Sequence, residues 1–150
     1  MARKMPSLKL IVTGCLDAGI EKELRVLARR LGIHDRIEFT GYISREELFK
    51  LKARALVHLY PSHEDSVSYS VLESLALGTP VAAYDIPALR IDFLERGAES
   101  ISLVEEFDVK GLAEEAFKLI GLKASSPEFP SWDEIMEKEL SLLKRFIGID

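Results

Sequence analysis

Five short apolar runs recur along this chain, each followed by residues with helical spacing, and that alternation limits the possible folds most. The runs fall at 8–13, 36–40, 55–60, 81–84 and 101–104. Between them, Leu24, Leu27, Ala28 and Leu31 repeat at helical spacing, and Gly32 supplies a stop. Further helices are expected at 44–54, 67–77, 87–96, 109–121 and 132–146. Ser44 with Glu47 forms a capping-box pattern, and Asp108 and Ser131 stand where helix caps belong. Strands alternating with helices predict a parallel sheet covered on both faces, built with right-handed crossovers. The 150 residues are read as one domain over 1–150.

Composition excludes several classes. A formal net charge of −5 argues against nucleic acid as the main partner. No apolar run approaches the roughly 20 residues that a membrane helix needs. The start carries charge but no apolar leader. Cys15 is the single cysteine, so no internal disulfide forms and a reducing, cytoplasmic setting is expected. Cys15 itself is read as a small packed side chain. The chain has no Asn and no Gln, which with abundant Lys, Arg and Glu suggests a hyperthermophile source. His34, His58 and His63 lack metal-ligand spacing, so no metal is expected.

Residues 60–83 carry the most chemistry: Tyr60-Pro-Ser-His-Glu-Asp-Ser-Val-Ser-Tyr-Ser-Val-Leu-Glu-Ser-Leu-Ala-Leu-Gly-Thr-Pro-Val-Ala-Ala83. This reads as a buried strand, an acidic loop, a helix, a glycine stop and a second buried strand. Asp65 and Glu73, with seven residues between them, bracket the loop and the first helical turn. Such a layout suits a ligand with anionic phosphates in its middle and hydroxyl-rich sugars at its ends.

The segment resembles the donor-binding signature of retaining glycosyltransferases of the GT-B fold, group 1 or family 4 type. Their pattern is Pro-Ser, an acid, seven residues, Glu, an Ala/Leu-rich helix and Gly-x-Pro-Val; here Gly78-Thr79-Pro80-Val81 closes it. Residues 31–44, 85–90 and 131–133 look like further pieces of the same domain. The resemblance implies a nucleoside-diphosphate sugar as substrate and no cofactor. It implies that Asp65, or Glu64 in a shifted register, meets the donor sugar. Ser66, Val67, Ser68 and Tyr69 would face the diphosphate, Glu73 the ribose hydroxyls, and Gly41, Tyr42 and Ile43 the nucleobase. No residue is singled out as certainly catalytic.

The chain departs from the family in two respects. Serines stand where the family has glycines in the 66–69 loop. The family's domain also begins with one more strand-helix unit, carrying a basic pair for the diphosphate, and this chain starts after it. Removing that central strand from the order 3-2-1-4-5-6 leaves 2-1-3-4-5. The expectation is therefore a three-layer α/β/α, Rossmann-like domain with a five-stranded parallel sheet in flavodoxin-like order. The alternative is a gap filled by another chain or a swapped element. A separate acceptor-binding domain or partner chain is implied as well.

Other readings of the residues stay open. Asp65 also suits capping the following helix, and Glu73 a solvated helix face. Tyr42 could stack on a base or cover the core. The glycines of Gly14-Cys-Leu-Asp-Ala-Gly19 favour a plain strand-helix turn over a phosphate loop, since Asp17 would repel phosphate. Beside a transferase half with little activity alone, the chain could be a non-catalytic nucleotide-sensing or partner-docking module, or a relative of sugar-nucleotide epimerases. A response-regulator receiver is disfavoured, because Asp17 alone is no acidic cluster.

Overall fold

The computed structural model describes residues 5, 7–125 and 130–148. The chain alternates β1 (Leu10–Thr13), α1 (Ala18–Arg30), β2 (Ile37–Gly41), α2 (Arg45–Arg54), β3 (His58–Tyr60), α3 (Tyr69–Ala76) and β4 (Val81–Tyr84). It continues with α4 (Pro87–Leu89), a wider π turn over Arg90–Leu94, β5 (Ile101–Val104), α5 (Val109–Leu119) and α6 (Trp132–Ile147). The expected 123–130 linker falls partly outside the described residues.

All five expected strands form and all pairings are parallel, but they do not make one sheet. β1 pairs with β2, and β3-β4-β5 form a separate sheet. The expected β1–β3 contact, and with it the continuous order 2-1-3-4-5, is therefore corrected. Closing that junction would bring two backbones within about 4.8 Å. Instead α2, which joins the two sheets, is anchored on the three-stranded side. Thr79 Oγ1 donates to the Lys52 carbonyl at 2.5 Å, and the Lys52 side chain binds α3. The junction also shortens β3: Ala55 N–H closes the end of α2 on the Lys52 carbonyl instead of entering a ladder.

The core sits around β4, whose four residues are all buried. Alternate side chains of a strand point to opposite faces. Accordingly Val81 and Ala83 pack with Val71, Leu75, Ile86, Leu89 and Phe93, whereas Ala82 and Tyr84 pack with Leu112, Ala116 and Leu119 of α5. This half is the three-layer sandwich that an apolar, non-alternating strand predicts. The turn from α3 into β4 is a Schellman motif: Thr79 N–H reaches the Ser74 carbonyl and Gly78 N–H the Leu75 carbonyl. Gly78 takes φ +83°, which a side chain would resist.

The two-stranded half is more open. Leu10, Ile11, Leu24, Leu27 and Leu31 are all exposed, while Ala28 is buried and the Arg25 guanidinium lies 4.6 Å from the Phe39 ring centroid. The caps form as read. Ser44 and Glu47 complete a capping box, as do Ser131 and Glu134, and Asp108 accepts from Gly111 N–H. α6 has no buried residue; Trp132 and Phe146 stand in solvent. Cys15 is exposed, contrary to its reading as a packed side chain, because its strand exit lies on the open half. No described helix is long and apolar enough to cross a membrane.

Stability should follow this division. Leu75→Ala empties a fully buried site and should cost about 3 kcal/mol in chemical denaturation, against less than about 1 kcal/mol for Leu24→Ala. Equal losses would contradict a core centred on β4.

Candidate functional site

Asp65 lies in the loop leaving β3, five residues beyond the strand's Tyr60, and its carboxylate is fully committed. Oδ1 accepts from the Ser66 and Val67 amides at 2.8 and 3.2 Å, and Oδ2 accepts from the Tyr60 hydroxyl. The Tyr60 hydrogen bond, then the Ser68 hydroxyl and the two amides, hold the Asp65 carboxyl below its ordinary range against the effect of burial. Burial first, then the Asp65 contact, pushes the Tyr60 phenol up. Asp65 thus closes a turn within the loop; the amides it holds precede Ser68, the N-cap of α3, so it does not cap the helix itself. Glu64 is exposed; its carbonyl accepts from Ser62 Oγ.

Of the four residues expected to face a diphosphate, Ser66, Val67 and Ser68 precede α3 and Tyr69 is its first residue. Two of their amides are held by Asp65, and Tyr69 N–H closes a turn on the Val67 carbonyl. Val67 and Tyr69 are exposed. Ser68 is the N-cap residue of α3 but does not cap with its side chain. It is only 1% exposed, and among the described residues its hydroxyl makes no hydrogen bond. It lies against Tyr60 and Asp65 and acts on both, lowering each group's pKa.

Glu73, one turn further along α3, is not the freely solvated residue that a helical glutamate usually is. Its Oε2 accepts from Lys52 Nζ at 2.7 Å. Lys52 also donates to the Ser70 carbonyl at 2.9 Å and to Ser70 Oγ at 3.0 Å. The Lys52 side chain is 10% exposed and that of Glu73 25%. The network runs on into the sheet. Ser74 Oγ contacts the Ser70 carbonyl at 2.9 Å and His58 Nδ1 at 2.8 Å. A carbonyl only accepts, so when the Ser74 hydrogen goes to Ser70, His58 Nδ1–H is the donor. Burial, with the Lys52 charge adding to it and the Glu73 charge opposing, lowers the His58 pKa to about 4.

Gly41, Tyr42 and Ile43 leave the carboxyl end of β2 in the other sheet. Gly41 turns with φ +64°, and its carbonyl accepts from Gly14 N–H. Tyr42 is 85% exposed, so it does not cover the core. Asp17 Oδ1 accepts from the Gly19 and Ile20 amides, filling the start of α1 with a carboxylate, as the plain-turn reading of this loop requires. Two open depressions lie along α1 and β2, lined by residues such as Glu21, Arg25, Arg29, His34 and Phe39. Neither includes Asp65 or Glu73. Among the described residues no cluster of potential ligands could hold a metal.

Two groups escaped the sequence reading. Lys52 was one, although a signal existed: it follows Leu48 and Leu51 at helical spacing, where an apolar residue belongs. The other is a clasp at the carboxyl ends of β3, β4 and β5. His63 Nδ1 lies 2.7 Å from Glu106 Oε2, and the His63 ring is 4.3 Å from Phe107 and 5.2 Å from Tyr84. Phe107 holds φ +67°, which a non-glycine residue adopts rarely, and nothing in the sequence marked it.

The family model described as glycosyl transferases group 1 matches residues 1–124. The chain belongs to that family. It is 32% identical over 120 residues to an exopolysaccharide phosphotransferase of Streptomyces coelicolor, covering 79% of this chain and 12% of that protein. It is 30% identical over 123 residues to a D-inositol 3-phosphate glycosyltransferase of Streptomyces scabiei, covering 81% and 26%. Similar solved structures include HepE of Anabaena in complex with UDP, at TM-score 0.64 and 22% identity, covering 76% of this chain and 31% of that one. A sucrose-phosphate synthase from Thermosynechococcus elongatus matches at TM-score 0.66 and 20% identity, covering 97% and 40%. This group 1 domain therefore shares the α/β, Rossmann-like fold of GT-B enzymes, and it spans 12% and 26% of the two curated relatives' lengths.

The buried imidazole predicts a pH dependence. His58 titrates near pH 6.5 when unfolded and at about 4 when folded, so the unfolded chain binds the extra proton between those values. Its contribution is complete above about pH 6.5 and is lost as pH falls toward 4, a change of roughly 3 kcal/mol. Denaturant unfolding at a series of pH values checks this, and His58→Leu should flatten the slope in that window.

Proposed function

We propose that this chain is the donor-binding part of a retaining GT-B glycosyltransferase, holding a nucleoside-diphosphate sugar that the longer enzyme transfers to an acceptor. The observation that carries the reading is the start of α3. A buried Ser68 hydroxyl and the helix's positive end lie between two acidic side chains, Asp65 and Glu73. The dipole and the hydroxyl suit a diphosphate. The Glu73 carboxylate suits a vicinal diol, since its oxygens accept and do not donate. Asp65, with Glu64 beside it, takes the donor sugar; Ser66, Val67, Ser68 and Tyr69 take the diphosphate; Gly41, Tyr42 and Ile43 flank the base. No cofactor or metal is required, because helix amides and basic groups balance the phosphates. The setting is cytoplasmic. The acceptor domain and the basic clamp belong to another part of the enzyme or to a partner chain, so the isolated domain binds donors weakly and transfers little.

Asp65 occupies the amides of Ser66 and Val67. A diphosphate must displace that carboxylate, which frees it to turn toward the sugar. The same occupancy, with serines in place of glycines, favours a second reading: a non-catalytic module in which Asp65 caps the loop permanently.

Titration calorimetry with UDP, GDP, ADP and their sugars separates the two. The donor reading expects weak binding of at least one of them, reduced about tenfold or more by Glu73→Ala, the loss of a hydrogen bond to a charged group. No binding by any of them, with Glu73→Ala without effect, supports the module.

A further inference from the structure

We propose that Lys52 is a positioning residue for Glu73: it fixes one carboxylate oxygen and leaves the other open to a nucleotide ribose. The proposal rests on the ribose role assigned to Glu73 above and adds what orients that side chain.

An ammonium has three donors, and Lys52 uses all three, on the Ser70 carbonyl, Ser70 Oγ and Glu73 Oε2. Two of the three partners belong to one residue of α3, so the ammonium is locked to that helix before it reaches the carboxylate. It comes from α2, whose Lys52 carbonyl is held in turn by Thr79 Oγ1. The ammonium therefore has a fixed address set by both ends of α3. A glutamate on a helix surface samples many rotamers; this one is tied at Oε2. Among the described residues Oε1 has no bonding partner, and Oε2 keeps one lone pair. The pair is asymmetric, with the cation almost closed off and the anion partly open. The adjacent cation also offsets the repulsion between Glu73 and a diphosphate bound one turn away.

Packing alone does not account for this arrangement. A buried ion pair is often matched or bettered in stability by apolar residues of the same size. The position in α2 is one that Leu48 and Leu51 mark as apolar, so Leu or Met would fill it. What an apolar residue would not supply is a fixed orientation for Glu73.

The test compares UDP, GDP and ADP with their 2′,3′-dideoxy analogues by titration calorimetry on the whole chain. It is run for the native protein, Lys52→Met, Lys52→Arg and Glu73→Gln. The native chain should prefer the nucleotide with ribose hydroxyls by about tenfold or more. Lys52→Met should shrink that preference to within about threefold while hardly changing affinity for the dideoxy analogue. Lys52→Arg keeps the charge but alters the donor geometry, and should fall between; it carries the test alone if Lys52→Met loses its far-UV dichroism. If Glu73→Gln abolishes the preference and the Lys52 variants keep it in full, Lys52 does not position Glu73. Equal weakening of both nucleotides in the Lys52 variants shows a merely structural role and overturns the proposal too. If the native chain shows no preference, or binds none of the nucleotides, the ribose role of Glu73 fails first and the proposal falls with it.

Discussion

The contact between Lys52 and Glu73 is the point on which the architecture turns. It joins α2, the crossover between the two sheets, to α3, the helix that carries the candidate site. Placing both charges in a partly buried setting costs desolvation, and the structure meets that cost with further hydrogen bonds. Ser70 completes the ammonium, Ser74 links Ser70 to His58 in β3, and Thr79 closes on the Lys52 carbonyl. Removing Glu73 would leave the nearly enclosed Lys52 ammonium with only its Ser70 partners. Burial, reinforced by the Lys52 charge and opposed by that of Glu73, keeps His58 neutral down to about pH 4.

The strand-helix alternation was legible because local patterns and burial agree. β4 reads as an unbroken apolar run and is buried on both faces, so its bounds, Val81–Tyr84, coincide with the expected ones. The caps at Ser44, Asp108 and Ser131 were legible for the same reason: side chain and backbone meet within a few residues. Strand pairing was not, because it depends on contacts far apart in sequence. Closing β1 onto β3 was an assumption about tertiary packing, and the anchoring of α2 on α3 defeats it. β3 came out shorter than read, since residues 55–57 are apolar but enter no ladder.

Of the candidate site, the residues were visible and their partners were not. Asp65 and Glu73 stand at a spacing that any reader of the chain can find. That Asp65 turns back onto its own loop, and that Glu73 meets a lysine 21 positions earlier, are facts of packing. Lys52 gave a faint sign, a charge on an apolar helical stripe. The His63–Glu106–Phe107 clasp gave none, as its members come from different loops. The domain matches glycosyl transferases group 1 over residues 1–124, and the loop of Gly41 to Ile43 leaves the two-stranded sheet, whereas Glu73 sits on α3 beside the three-stranded one.

Amide NMR during titration with UDP, GDP or ADP tests most directly whether the turn between Asp65 and Glu73 holds the phosphates. The expected result is a set of shift changes led by Ser66, Val67 and Ser68, as Asp65 is displaced from their amides. Changes confined to the α1–β2 depression around Arg25, Arg29 and His34, with residues 65–73 silent, would contradict it.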